Sequence, residues 1–189
     1  MKKTLFSIVA LLMTVTLLFC GCAELQPNPA TAPKVNLYDS GYISGDAITV
    51  VFGETLKHSQ LPIIQINTAD ELAAFSQSAK EHCFTIENEG EKVELPQYST
   101  YDDAVSAYTA EFFADKTLVV CYAYTTQSPA VFEVSNISIE GNTLTVMVDT
   151  LEMGVDASME GRFIFIELSK QDMKNVTELV VIRDVGELV

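Results

Sequence analysis

The stretch Leu118-Val119-Val120-Cys121-Tyr122-Ala123-Tyr124 is apolar at both odd and even positions. Successive side chains of a strand point to opposite faces, so this pattern predicts a central strand that is covered on both faces. Residues 162–168 and 179–182 have the same character. We therefore expect these three segments to occupy interior positions in a sheet.

A β-hairpin is predicted around Gly141-Asn142, which is a tight-turn signal. The second arm alternates cleanly, with apolar side chains at Leu144, Val146 and Val148. In the first arm the apolar positions change from even to odd numbers near Ser135-Asn136. A β-bulge at that point would keep one face of the arm apolar.

The chain before the central strand is predicted to contain strands and a helix. Residues 35–42 are rich in turn formers, and Ala47–Phe52 is a β-branched run bounded by glycines, which predicts a strand. Residues 62–66 predict another short strand. Thr68-Ala69-Asp70-Glu71 matches a capping box, which predicts a helix that ends near residues 80–82.

A second helix is predicted from Tyr101, Val105, Tyr108 and Phe112, whose spacing places all four on one helical face. Residues 87–91 predict an acidic hairpin tip. The order of all these elements indicates an α+β fold. In this fold a mainly antiparallel sheet of about six or seven strands packs with two helices.

The first 22 residues have the form of a lipoprotein leader. Met1-Lys2-Lys3 is a positive n-region, and an apolar run of about 15 residues follows, which suits a signal peptide and is short for a bilayer span. Gly21-Cys22 completes a lipobox, whereas Cys20 follows the bulky Phe19. We expect residues 1–21 to be removed and Cys22 to be acylated. An ordinary cleaved signal peptide and an uncleaved anchor are the alternatives.

Residues 22–34 predict a flexible tether, and residues 35–189 predict one globular domain. The tether holds three prolines and little apolar bulk. Acyl chains on the cysteine would keep the protein at the cell membrane, on its extracytoplasmic face. The formal charge is −15 and becomes −17 without Lys2 and Lys3, which argues against binding to nucleic acid or to anionic lipid headgroups.

The sequence contains no recognisable catalytic motif, phosphate loop or dinucleotide fingerprint. The two histidines, His58 and His82, lie in polar surroundings. An exported compartment permits a disulfide between Cys83 and Cys121, and two buried free thiols are the alternative. We expect no catalytic residue, no metal site and no cofactor.

Three stretches resemble the PrcB C-terminal-like domain, a family named for an accessory lipoprotein of a bacterial surface protease complex. They are Phe112-Phe113-Ala114-Asp115-Lys116-Thr117-Leu118-Val119-Val120, Glu140-Gly141-Asn142-Thr143-Leu144-Thr145-Val146 and Phe163-Ile164-Phe165-Ile166-Glu167-Leu168. The resemblance covers residues 112–183, the strand-rich half of the domain. It implies a fold and an accessory role, and it brings no catalytic residues with it.

A partner surface is predicted from the order of the strands. If strands 117–124, 131–140 and 143–150 form an antiparallel meander, the loops 125–130 and 151–161 emerge at the same end. The alternative is that the methionines of these loops fold inward. The two loops carry polar groups and adaptable methionines, namely Thr125, Gln127, Ser128, Glu152, Met153, Asp156 and Met159.

These observations predict a non-catalytic, membrane-anchored extracytoplasmic lipoprotein. It would bind another protein, or serve as an accessory module of a surface complex, through those two loops. A small-ligand binding lipoprotein is the alternative, and a hydrolase is the third function class considered.

Overall fold

The computed structural model describes residues 33–41, 43–53, 61–126, 128–157 and 159–185. For residues 128, 152–155 and 184–185 it describes the backbone alone. The predicted leader, the predicted acylation site Cys22 and the predicted tether up to residue 32 therefore lie outside the described residues. No helix among the described residues is long and apolar enough to cross a membrane.

The described chain forms nine strands, four α-helices and one 3-10 helix, which confirms the α+β fold class. The helices are α1 (Gly45–Phe52), α2 (Ala69–Cys83), α3 (Gln97–Ser106) and α4 (Phe112–Asp115), and the 3-10 helix is Asp172–Asn175. The strands are β1 (Lys34–Asp39), β2 (Ile63–Ile66), β3 (Thr85–Asn88), β4 (Glu91–Glu94), β5 (Lys116–Thr125), β6 (Ser128–Glu140), β7 (Thr143–Asp156), β8 (Glu160–Ser169) and β9 (Glu178–Val185).

The strands form two principal sheets and one isolated hairpin. The first sheet has the order β1-β8-β5-β2 and is antiparallel throughout. The second sheet has the order β6-β7-β9, in which β6 and β7 are antiparallel and β7 and β9 are parallel. Strands β3 and β4 pair only with each other. The expected predominance of antiparallel pairing is confirmed.

The first sheet is the middle layer of the domain, because both of its faces are buried. Its helix-side core includes Phe75 of α2, Tyr101 of α3 and Phe163 of β8. Its inter-sheet core packs against the second sheet and includes Val119 of β5 and Val146 of β7. The prediction of doubly covered strands at 118–124 and 162–168 is therefore confirmed.

The predicted meander is wrong, because β5 and β6 belong to different sheets. Strands β5 and β8 are apolar on both faces, so both gain from the middle layer, where they pair with each other. Strands β6 and β7 have one apolar face and therefore form an outer layer. The expectation for residues 179–182 is also wrong, since β9 is an edge strand whose Ile182 is 45% exposed.

The predicted strand at residues 47–52 is a helix, α1. The Ser44 hydroxyl accepts a hydrogen bond from the Ala47 N–H and caps the first turn, where Asp46 also lies. Gly53 ends the helix in the left-handed conformation, with φ of 69°. The apolar positions 48, 51 and 52 then share one buried face, which outweighs the strand preference of β-branched residues.

Two further expectations are wrong because tertiary contacts override local pattern. The helical stripe from residue 101 to 112 is broken after Ser106, and Tyr108 leaves the helix. Its hydroxyl accepts a hydrogen bond from the Asn36 side chain at 3.1 Å. Asn36 lies in β1, an edge strand on β8 that occupies most of the segment expected to form turns.

The local turn and cap predictions are confirmed. Thr68 Oγ1 accepts a hydrogen bond from the Glu71 N–H, and α2 begins at Ala69 and ends at Cys83. Gly141 adopts φ of 64° in a two-residue turn between β6 and β7, as a type II′ turn requires. The register of β6 shifts between Val134 and Asn136, which is the predicted bulge.

Candidate functional site

Two of the three connections between the two sheets lie at one end of the domain. Strand β5 leads into β6, and β7 leads into β8, so the paired ends Thr125–Glu160 and Ser128–Asp156 lie at the same end. We call this region the crossover end and define it as residues 125–131 and 151–162, insofar as they are described. The two predicted loops do come together there, but mostly as extensions of four strands.

The residues predicted to form the partner surface differ in their exposure and in how far the structure describes them. Thr125 is buried, with 3% exposure, because it lies on the face of β5 that points towards the second sheet. Gln127 lies outside the described residues, and Ser128, Glu152 and Met153 are described by backbone alone, as members of β6 and β7. Asp156 and Met159 are exposed.

Two apolar residues at the crossover end were missed by the sequence prediction. They are Val131 in β6, which is 45% exposed, and Leu151 in β7, which is 56% exposed. Met159, which the sequence did predict for this surface, is 47% exposed. Leu151 is exposed because the register jumps from Val131–Glu152 to Phe132–Thr150, which leaves it without a partner in the ladder. In the sequence, the exposure of Leu151 is indicated only by the alternating pattern of β7, which breaks at Thr150.

An ionic network fastens the strands of the crossover end. Glu160 Oε2 accepts hydrogen bonds from the Ala130 N–H at 3.2 Å and from the Arg162 side chain at 3.4 Å. Arg162 also donates to Asp39 Oδ1 and to the Gly161 carbonyl, both at 2.9 Å. The network therefore ties together β1, β6 and β8.

A buried tyrosine closes the same end on its helix side. The Tyr122 hydroxyl accepts a hydrogen bond from the Ile43 N–H at 3.1 Å and lies 3.4 Å from the Gly41 carbonyl oxygen. Gly161 passes directly over this ring. A Cβ atom at Gly161 would lie 2.6 Å from Tyr122 Cζ and 2.7 Å from the Gly41 oxygen, so only glycine fits.

Two polar groups between the sheets have no hydrogen-bond partner among the described residues. They are Thr150 Oγ1 in β7 and Arg183 Nε in β9. Burial lowers the pKa of Arg183, and the nearby Tyr124 acts in the opposite direction. Arg183 is aligned with the buried Val148 of β7, so it lies on the face of β9 that points towards the first sheet.

The two cysteines of the domain are free thiols, and the disulfide that an exported compartment permits is not formed. Cys83 lies in the helix-side core and Cys121 lies in the inter-sheet core, on the other side of the first sheet. Burial raises the pKa of each thiol to about 12. His82 is exposed, His58 lies outside the described residues, and the described residues contain no group of three or more potential metal ligands.

An open groove of about 300 Å³ lies at the start of α2. Two of its polar groups are already engaged, since Thr68 Oγ1 caps the helix and the Lys170 ammonium donates to the Phe113 carbonyl at 2.6 Å. A small-ligand site is expected to be deep and mostly apolar, with free polar groups that converge on the ligand. This groove is open to solvent rather than enclosed, so it lacks the depth expected of such a site. Its lining residues are Asn67, Thr68, Ala69, Asp70, Ala110, Phe113 and Lys170.

Comparison of the chain with protein-family models, with curated proteins and with solved structures finds no match. The resemblance of residues 112–183 to the PrcB C-terminal-like domain therefore stays a prediction.

Proposed function

We propose that this protein is a lipid-anchored, extracytoplasmic protein-binding module that serves as an accessory subunit of a surface complex. Its contact surface is the crossover end. The leader ending in Gly21-Cys22 supports the anchor, because the small residue and the cysteine follow an apolar run of signal-peptide length. Several acyl chains on one cysteine hold a protein on a membrane far more durably than a single chain.

This contact surface is supported by one observation, the exposure of Val131, Leu151 and Met159 at one end of the domain. Apolar side chains that are about half exposed lose contact with water when a partner covers them, and this favours association. The polar rim is supplied by Asp156 and Thr126, which are exposed beside them. The Glu160–Arg162 network keeps the strands in place, so little ordering is needed on binding.

The surface is tested by recovery of partners from crosslinked membranes with the full-length chain. The triple variant Val131→Ser, Leu151→Ser and Met159→Ser should reduce recovery of a specific partner about tenfold or more, since a few residues that become buried at the centre of an interface carry most of its binding energy. The control carries three matched substitutions away from the crossover end. They are Val50→Ser, Ile86→Ser and Val93→Ser, at residues that are 55%, 48% and 42% exposed.

Equal recovery by the triple variant and by wild type would rule out the crossover end as the contact surface. The anchor is tested separately, by labelling cells with an alkyne fatty acid. Cys22→Ser should abolish labelling and release or misprocess the protein, whereas Cys20→Ser should leave labelling unchanged. Labelling that depends on Cys20 instead would contradict the assignment of the lipobox.

A further inference from the structure

The outer face of the second sheet, which points away from the first sheet, is open to solvent. Leu144, Val146 and Val148 of β7 are fully buried in the inter-sheet core, so the residues that alternate with them point outwards. Their partners on this face include Glu133 and Glu140 of β6 and Glu178 of β9, and all three are exposed. The face therefore has no cover among the described elements.

Carboxylates stand at both ends of this face. Glu133 lies directly opposite Asp149. At the other end Glu140 lies opposite Thr143, and Thr143 Oγ1 donates to Glu178 Oε2 at 3.0 Å. Thr143 and Asp149 are six positions apart along β7, which corresponds to about 20 Å along the strand.

The middle of the face holds one apolar pair, next to Asn136 of β6, which lies opposite Met147. Met147 of β7 lies beside Ile182 of β9, and Ile182 is 45% exposed although it is a large hydrophobic residue. The two side chains form a patch between the two acidic ends. Methionine adapts its shape to different partners, which suits such a patch to binding.

No cation neutralises these carboxylates from within the three strands. Strands β6, β7 and β9 carry seven acidic residues and a single basic residue, Arg183. Arg183 is aligned with the buried Val148 and so lies on the inner face. In addition, Asp149 Oδ1 is shielded from solvent and accepts no hydrogen bond. Buried carboxylate oxygens usually accept a hydrogen bond, and among the described residues this one lacks that compensation.

We propose that this face binds a cationic segment of a protein partner, with basic residues about 20 Å apart and apolar residues between them. The inference rests on the proposed protein-binding function. Val131 and Leu151 of the crossover end belong to β6 and β7 themselves, so one partner can cover both surfaces. The crossover end supplies apolar anchors, and the face selects for positive charge.

The probe is an eight-residue peptide with two arginines at each end and Thr-Val-Thr-Val in the middle. Its binding to the full-length chain in neutral detergent is measured by fluorescence anisotropy. Two paired substitutions, Glu133→Gln with Asp149→Asn and Glu140→Gln with Glu178→Gln, should each weaken binding about fivefold, as expected for two partly exposed ion pairs. Ile182→Ser should weaken binding as well, and about 1 M salt should reduce it strongly.

The matched control is Asp103→Asn with Glu111→Gln, which removes two exposed charges from the helical side. It should leave affinity within about twofold, because charges beyond a Debye length are screened. An equal loss in this control would show attraction to net charge alone and would overturn the proposal. Equal binding of a peptide with glutamates in place of arginines, or no binding by wild type at about 1 mM, would overturn it too. If these results appear while partner recovery still depends on the crossover end, the proposed function stands and only this inference falls.

Discussion

At the scale of single residues, Tyr122 connects the helix-side core to the loop that follows β1. Its ring is fully buried and its hydroxyl accepts the Ile43 N–H. Tyr122→Phe leaves that donor without this acceptor, so we expect a loss of about 1–2 kcal/mol in the free energy of unfolding, measured by urea denaturation.

Tyr98→Phe is the control for this prediction. The Tyr98 hydroxyl donates to Asp102 Oδ1 at 3.0 Å in an exposed position, where water can replace the lost partner. Its removal should cost less than about 0.5 kcal/mol. Equal effects of the two substitutions would contradict the role of Tyr122 as a buried link.

Burial also controls the chemistry of Cys83 and Cys121. Because the pKa of each thiol is raised to about 12 in the folded protein, neither forms a thiolate near neutral pH. We expect both to resist iodoacetamide at about pH 8 in the native state and to react after unfolding in urea. Mass spectrometry of the peptides that contain each cysteine distinguishes them from Cys20 and Cys22.

The same shifts set a direction for stability at high pH. As pH rises from 9 towards about 12, the unfolded thiols lose their protons while the native thiols keep them. The unfolded state then binds fewer protons, so these two groups lower the free energy of unfolding over that range. In the iodoacetamide experiment, native thiols that react as fast as those of the urea-unfolded chain would contradict the burial of Cys83 and Cys121.

At the scale of elements, α1 shows that capping residues at the two ends of a segment can outweigh the strand preference of its β-branched residues. Val50 is 55% exposed on this helix, where valine is a poorer helix former than alanine. Val50→Ala should therefore raise the free energy of unfolding by a few tenths of a kcal/mol, measured by urea denaturation. A strand at this position would give the opposite sign, because valine is favoured in strands.

Val131→Ala is the matched control, since Val131 is 45% exposed in strand β6. It should lower the free energy of unfolding by a few tenths of a kcal/mol. The opposite signs of two identical substitutions at similar exposure would distinguish helix from strand. If Val50→Ala and Val131→Ala both lowered the free energy of unfolding, the result would contradict the assignment of α1 as a helix.

At the scale of the whole molecule, the first sheet belongs to both cores, so the three layers should unfold together. The six described tyrosines all contact the helix-side core, whereas Leu144 lies fully buried in the inter-sheet core. Leu144→Ala should cost about 2–5 kcal/mol. It should shift the urea midpoint by the same amount in near-ultraviolet circular dichroism, which reports the tyrosines, and in the far-ultraviolet signal of the backbone.

Thr145→Ala is the control on the same strand, because Thr145 lies on the open outer face. It should move both midpoints only slightly. If Leu144→Ala shifted the far-ultraviolet transition and left the tyrosine transition in place, the second sheet would be unfolding by itself. That result would contradict a single cooperative domain.

Features that depend only on neighbouring residues can be predicted from the sequence. Thr68 and Glu71 specify the start of α2, Gly141 specifies the hairpin turn, and the shift in alternation near Ser135 specifies the bulge. The sequence also predicts that both faces of residues 118–124 are buried, because the apolar residues at odd and even positions all lie in this one strand. Each of these is local, so turn geometry, capping and side-chain alternation are sufficient to define it.

Tertiary structure alone decided which strands pair and which side chains remain exposed. β1 joins β8 across more than a hundred residues, as the Lys34–Glu167 ion pair illustrates, and no local pattern selects that partner. Division of the strands between two sheets buries Thr125, and the register jump in β7 exposes Leu151. The physical reason is that pairing and burial depend on the sum of distant contacts, which a segment does not encode alone.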